Sequence, residues 1–330
     1  MSLSRREFVY GPLAAAGASS LGTGFSRAQE GDELVAAAKR EGRGTVYSVV
    51  DPTLMQAVVK RFRDKYGIEI ELVRLTSSSL GQRLSAEVES GNVAADVVID
   101  TDKLLVQAMT AKGYYAPVEQ ILGSGAFPAS AKTATSIIAG RVPYSMIWNT
   151  SEVADAPKSW QALADTKWQK RIMLIDPRLG ASPTSWYMLM RKTYGDDFIH
   201  TIGRAATISP SAVPGMQQVA AGAQAIYAPA VHQITIGLKA KGAPIEEAFL
   251  EPTVSSDNVL SLLAKPPHPN IAKLFAAFCV SVDGQSLLNR DGFSMLPDVP
   301  GARPLPQIAE IDPAATKTEL PVILSLLGLS

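Results

Sequence analysis

The sequence holds one cysteine, Cys279, among 330 residues. That excludes an intramolecular disulfide framework and every zinc or iron–sulfur motif built on several thiols. Histidine is almost as scarce, with residues only at 200, 232 and 268. None has a Glu or His partner at helical metal-binding spacing, so no metal and no cofactor is expected. Neither sign of charge is in surplus, since 31 Lys and Arg face 31 Asp and Glu. A neutral balance offers no basic face for nucleic acid. Beyond Ala28 no apolar run reaches the ~20 residues that span a bilayer. There is no G-x-S-x-G elbow, so an α/β-hydrolase would lack its nucleophile. No Gly-Lys pair exists to complete a Walker A loop, and Gly42-Arg-Gly44 precedes a strand, the wrong setting for a dinucleotide fingerprint. The paired carboxylates Asp196-Asp197 and Glu246-Glu247 lie in polar, turn-like stretches and read as solvated surface. Cys279 lies in an apolar helical stretch and reads as a small buried hydrophobe. An enzyme is not expected; a secreted hydrolase would have to work without an evident base.

What is present is a globular composition, 46% hydrophobic and 19% charged, with length enough for two lobes. The first residues read as an address. Arg5-Arg6 precedes a Gly/Ala/Ser-rich run from Val9 to Phe25, and Ser26-Arg27-Ala28 supplies small residues for a peptidase. This is the pattern of a twin-arginine export signal occupying residues 1–28, which places the mature chain in the periplasm.

The mature chain alternates short strands, polar turns and amphipathic helices. Val46–Val50 reads as a buried strand. Asp51-Pro52 starts a helix with Leu54, Val58, Phe62 and Tyr66 on one face, and Gly67 ends it. The unit repeats as strand 68–75, turn Thr76-Ser77-Ser78-Ser79 and a helix closed by Gly91, then as strand 96–100 and a helix opened by Thr101-Asp102. A second series has strands at 141–149, 172–175 and 224–227, with helices expected from Ser182-Pro183 and after Pro229. Strand 259–263 and a helix through Ile271, Leu274 and Phe278 follow, and the 320–329 stretch packs on the body as a last strand or helix. Such alternation predicts an α/β protein with mostly parallel sheets and helices on both faces. No loose linker separates the halves, so crossing strands are expected to join them.

Ligands of open α/β sheets gather beyond the carboxyl ends of strands, where helix starts leave N–H groups free. Hydroxyl donors there suit an oxyanion. The candidate ligand-binding residues are Ser48, Thr76, Ser77, Ser78, Ser79, Thr101, Ser182, Thr184 and Ser185. Arg178 is a candidate counter-charge and Tyr227 a candidate stacking ring. For each hydroxyl the competing role is a plain helix cap.

Several stretches occur in a telling order: Gly44-Thr-Val-Tyr-Ser48, Phe62-Arg-Asp-Lys-Tyr-Gly-Ile68, Arg83-Leu-Ser-Ala-Glu87 with Ala95-Asp-Val-Val98, Trp168-Gln-Lys-Arg-Ile172 with Asp176-Pro-Arg178, Lys241-Gly-Ala-Pro244, and His268-Pro-Asn270 with Gln285-Ser-Leu-Leu288. In these stretches the chain resembles the family 1 extracellular solute-binding proteins of ABC importers, in particular their ferric-iron-type branch. The resemblance implies a two-lobe type 2 periplasmic-binding-protein fold with a ligand cleft between the lobes, and delivery of the ligand to the transmembrane subunits of an ABC permease. The lobes are expected to comprise 29–140 with 256–298, and 141–255 with 299–330, in a monomer. Ferric members carry adjacent tyrosines after the strand equivalent to 224–227, where this sequence reads Ala228-Pro-Ala-Val-His232. The expected ligand is therefore a small organic anion (phosphate ester, phosphonate or carboxylate), with ferric iron or an iron complex at Tyr227 and His232 as the alternative.

Overall fold

Helix α1 (Gly22–Glu41) leads into β1 (Arg43–Ser48), where Val46, Tyr47 and Ser48 are fully buried. The computed structural model describes residues 22–289, 292–303 and 305–329; residues 1–21 of the expected export signal lie outside them. Asp51 caps α2 (Pro52–Tyr66), its carboxylate accepting from the Leu54 N–H, and Pro52 takes a position where a missing N–H costs nothing. Gly67 closes the helix at φ 70°, a left-handed geometry that suits glycine. The unit repeats as β2 (Glu69–Arg74), α3 (Ser77–Ser90), β3 (Val97–Asp100) and α4 (Lys103–Ala111), with Thr76 and Asp102 as caps. Then comes β4 (Ser136–Asn149), the longest strand of those described.

The second series runs β5 (Ile172–Ile175), α5 (Ala181–Tyr194), α6 (Asp196–Ala205), β6 (Ala206–Ser209), α7 (Ala212–Ala220), β7 (Ile226–Val231), α8 (His232–Ala240) and β8 (Ile245–Ala248). The chain returns through β9 (Ser255–Leu262), α9 (Pro269–Cys279) and α10 (Val282–Leu288), and ends in α11 (Ala315–Leu327). The strands follow the order β2-β1-β3-β9-β4-β7-β5-β6, with β8 also on β4. Pairs among β1, β2 and β3, and among β5, β6 and β7, are parallel; those made by β4 and β9 are antiparallel.

Strand β4 joins the two halves. Residues 136–143 pair with β9 in the first lobe, and residues 144–149 pair with β7 and β8 in the second. The first lobe packs an apolar layer on each face of its sheet. Phe62, Ile99, Leu260 and Phe275 lie on one side, and Tyr47, Leu84, Val98 and Val259 on the other. The second lobe has its own core around Trp160, Trp186, Met173 and Tyr227. Cys279 is fully buried within the first-lobe core.

Three local expectations are corrected. Strand β7 does not stop at Tyr227 but continues through Pro229, opposite a break in register of β4 between Ser145 and Ile147. A bulge tolerates a residue that has no N–H to donate. Helix α5 starts at Ala181 behind Gly180 at φ 151°, so Ser182 is not its cap. Glu247 is not solvated surface. Its side chain is 8% exposed, with Oε2 2.7 Å from His232 Nδ1 and Oε1 accepting from the Ser145 hydroxyl at 2.5 Å.

Candidate functional site between the lobes

The carboxyl ends of β3 and β5 turn into helices on opposite sides of a gap. Thr101 and Lys103 come from the start of α4, and Ala181, Ser182 and Ser185 from the start of α5. Val254 and Ser255 form the entry to β9, and the Ala309–Pro313 segment runs along the rim. The free space among these residues, open solvent at the mouth included, is about 410 Å³, of which the centre of a water-sized sphere can occupy about 30 Å³. The side-chain hydroxyls of Thr101, Ser182 and Ser185 have no hydrogen-bond partner among the described residues, although Ser185 is only 9% exposed. The first turn of α5 also leaves backbone N–H groups unused, as every helix start does, and Pro183 contributes none.

A ladder of charges lies beneath these hydroxyls. Arg141 on β4 and Asp257 on β9 face each other in register and form a two-pronged pair at 3.1 Å on each prong. Asp257 is fully buried and Arg141 is 5% exposed. Asp257 also accepts from the Ser255 hydroxyl at 2.7 Å and from Lys103 Nζ at 2.7 Å, while the outer nitrogen of Arg141 reaches Glu310 at 3.0 Å. Sequence reasoning missed Lys103, Arg141, Ser255, Asp257 and Glu310. One signal was available, because a lysine at the first position of a helix opposes the helix dipole and calls for another role.

The remaining candidates stand elsewhere. Ser48 is fully buried and its hydroxyl accepts from the Val50 N–H at 3.1 Å, closing the turn after β1. Thr76 caps α3 through the Ser79 N–H and also donates to the Ser79 hydroxyl. Ser77 donates to Asp100 Oδ1 at 2.6 Å, and Ser78 is exposed. None of Thr76, Ser77, Ser78 and Ser79 lines the gap. Thr184 points inward and donates to the carbonyls of Pro177 and Gly180, the back-bonding that helical threonine commonly makes. Arg178 is committed to Asp176, with Nη2 2.6 Å from Oδ2, and this hydrogen bond holds the Asp176 carboxyl below its ordinary range. Tyr227 is fully buried in the second-lobe core against Gly215, away from the gap, and burial drives its phenol pKa upward.

Asp100 stands behind Thr101 at the end of β3. Burial raises its carboxyl above the ordinary range, opposed by the Ser77 hydroxyl and the N–H groups of Asp102 and Thr101. Its Oδ2 and the buried Tyr115 hydroxyl have no hydrogen-bond partner among the described residues. No group of three or more His, Cys, Asp or Glu among the described residues is placed to hold a metal ion.

Two lobes on crossing strands, with opposed helix starts across a gap, define a type 2 periplasmic binding protein. Residues 45–294 match the model of a family described as bacterial extracellular solute-binding protein, and the chain belongs to that family. Its members are solute-binding proteins of ABC transport. The chain is 29% identical over 142 residues to the thiamine-binding periplasmic protein of Salmonella typhimurium, a match that covers 43% of each chain, less than half of that relative's length. Among solved structures, iron-bound HitA from Pseudomonas aeruginosa superposes with a TM-score of 0.69 at 19% identity, covering 87% of this chain and 98% of that one. The periplasmic binding protein AfuA from Actinobacillus pleuropneumoniae, solved with fructose-6-phosphate bound, gives 0.67 at 18% identity, over 88% and 99%.

Proposed function

We propose that this protein works in the periplasm as the capture component of an ABC importer and that its ligand is a small solute bearing an anionic group, a phosphate ester, phosphonate or carboxylate. The observation that carries this reading is the convergence, from opposite lobes on one gap, of donors with N–H or O–H bonds to spare. Thr101 and Lys103 approach from the first lobe, Ser182 and Ser185 from the second. Three hydroxyls and an ammonium group with N–H bonds to spare match an oxyanion, and charge-assisted bonds of this kind are the strong ones. A solute that bridges both helix starts binds the closed arrangement better than an open one and shifts the population toward it. The permease would then meet a ligand-dependent shape. The reading includes no catalytic step and no metal.

The test is calorimetric titration of the full mature chain with hits from a thermal-shift screen of phosphate esters, phosphonates, carboxylates, thiamine and ferric citrate. A ligand that binds only the native state raises its melting temperature. Ser182→Ala with Ser185→Ala is expected to weaken the best anionic hit by about 2 kcal/mol while leaving the fold intact. Unchanged affinity in the double variant would refute this site. A tight ferric hit, or thiamine as the sole hit, would refute the anionic-solute reading.

A further inference from the structure

The charges that border the gap narrow the solute class, an inference that rests on the gap being the capture site. Lys103 is 30% exposed and Glu310 is 59% exposed, and both line it. Each is fastened from below by an opposite charge that is itself buried. Asp257 holds the Lys103 ammonium at 2.7 Å, and Arg141 holds the Glu310 carboxylate at 3.0 Å. Arg141 and Asp257 are tied to each other by two further bonds. The four groups sum to zero charge, so the ladder attracts neither a bare anion nor a bare cation by net field.

What the gap presents at its surface is one positive and one negative group at fixed places. Lys103 spends one of its three N–H bonds on Asp257. Glu310 has only one oxygen in an ion pair. A purely anionic solute that reached Lys103 would bring a second negative charge beside Glu310, and a purely cationic solute would meet the ammonium group of Lys103. We infer that the solute is a zwitterion: its anionic group lies at Lys103 and the α5 hydroxyls, and its ammonium or other cationic group lies at Glu310. Buried partners keep both surface charges in position before the ligand arrives, which lowers the ordering cost of binding.

Matched sets of probes test this on the full mature chain: 4-aminobutyrate, butyrate and butylamine, and phosphoethanolamine, ethyl phosphate and ethylamine, placed within a broad metabolite screen. The expected result is that zwitterions lead the hits and exceed their singly charged analogues by about tenfold or more. Glu310→Gln is expected to remove that preference by weakening the zwitterion while leaving the anionic analogue unchanged or tighter. Lys103→Met is expected to weaken both. Each variant leaves the Arg141–Asp257 pair in place, and melting curves check that the fold is retained. A singly charged best hit, or a preference untouched by Glu310→Gln, overturns the zwitterion inference and leaves capture in the gap standing. No hit from the probes or the wider screen overturns both.

Discussion

Asp100 concentrates a conflict in one side chain. It is fully buried, one oxygen serves the Ser77 hydroxyl and two backbone N–H groups, and the other has no partner among the described residues. Asparagine would keep the working acceptor and discard the buried charge. Asp100→Asn is expected to stabilise the fold by about 1 kcal/mol at neutral pH. The native pKa lies above that of the unfolded chain, so the wild-type protein loses stability as pH rises through it. The advantage of the variant must therefore fade as pH falls below that native pKa. Urea unfolding between about pH 4 and about pH 8 measures both effects, and a variant less stable at neutral pH contradicts the account. The residue scale is also where the sequence was read best and worst. Caps such as Asp51, Thr76 and Asp102 follow from local chemistry, and the hydroxyls of Ser182 and Ser185 lie one turn apart beside a helix start. Thr184, between them, faces the carbonyls of its own helix instead. Tyr227 was misjudged because its surroundings come from α7 and β6, which local sequence around a strand does not disclose.

At the scale of elements, the joint between α9 and α10 at Gly284 leaves less room for a side chain than any other described glycine position. A methyl group at Gly284 would collide with the carbonyl of Phe278 and the backbone of Cys279, and neither can rotate away. Gly284→Ala is expected to cost about 2 kcal/mol, read from the urea midpoint. A neutral substitution would mean that the two helices slide apart freely. Helices α2 and α3 were legible from apolar periodicity and terminal glycines, because both depend on neighbours within one turn. The start of α5 was not. Gly180, in a glycine-only conformation, takes the capping position that Ser182-Pro183 imitates in sequence. The full length of β4 was also hidden, since its two ends pair with strands from different lobes.

For the whole molecule, Arg141 and Asp257 rivet the crossing strands although 116 residues separate them in sequence. That distance is why no pattern revealed the charged border of the gap. Removing one member leaves the other buried with its charge poorly met. Arg141→Ala is expected to lower stability by about 3 kcal/mol and to broaden or split the melting transition seen by calorimetry. A single sharp transition at the wild-type temperature would show that the pair is dispensable. Capture by closure also predicts a smaller radius of gyration in solution scattering when the best ligand is added, and an unchanged radius would count against it.

The position of β9 has a consequence for how the protein is made. This strand lies between β3 and β4 in the sheet of the first lobe, yet it is encoded after every strand of the second. A ribosome therefore releases every strand of the second lobe while the first still lacks an interior strand, and α11, which packs on α5 and α6, follows later still. Until residue 262 emerges, β3 and β4 keep unpaired edges, so this stretch of synthesis is when the growing chain is most open to wrong pairing.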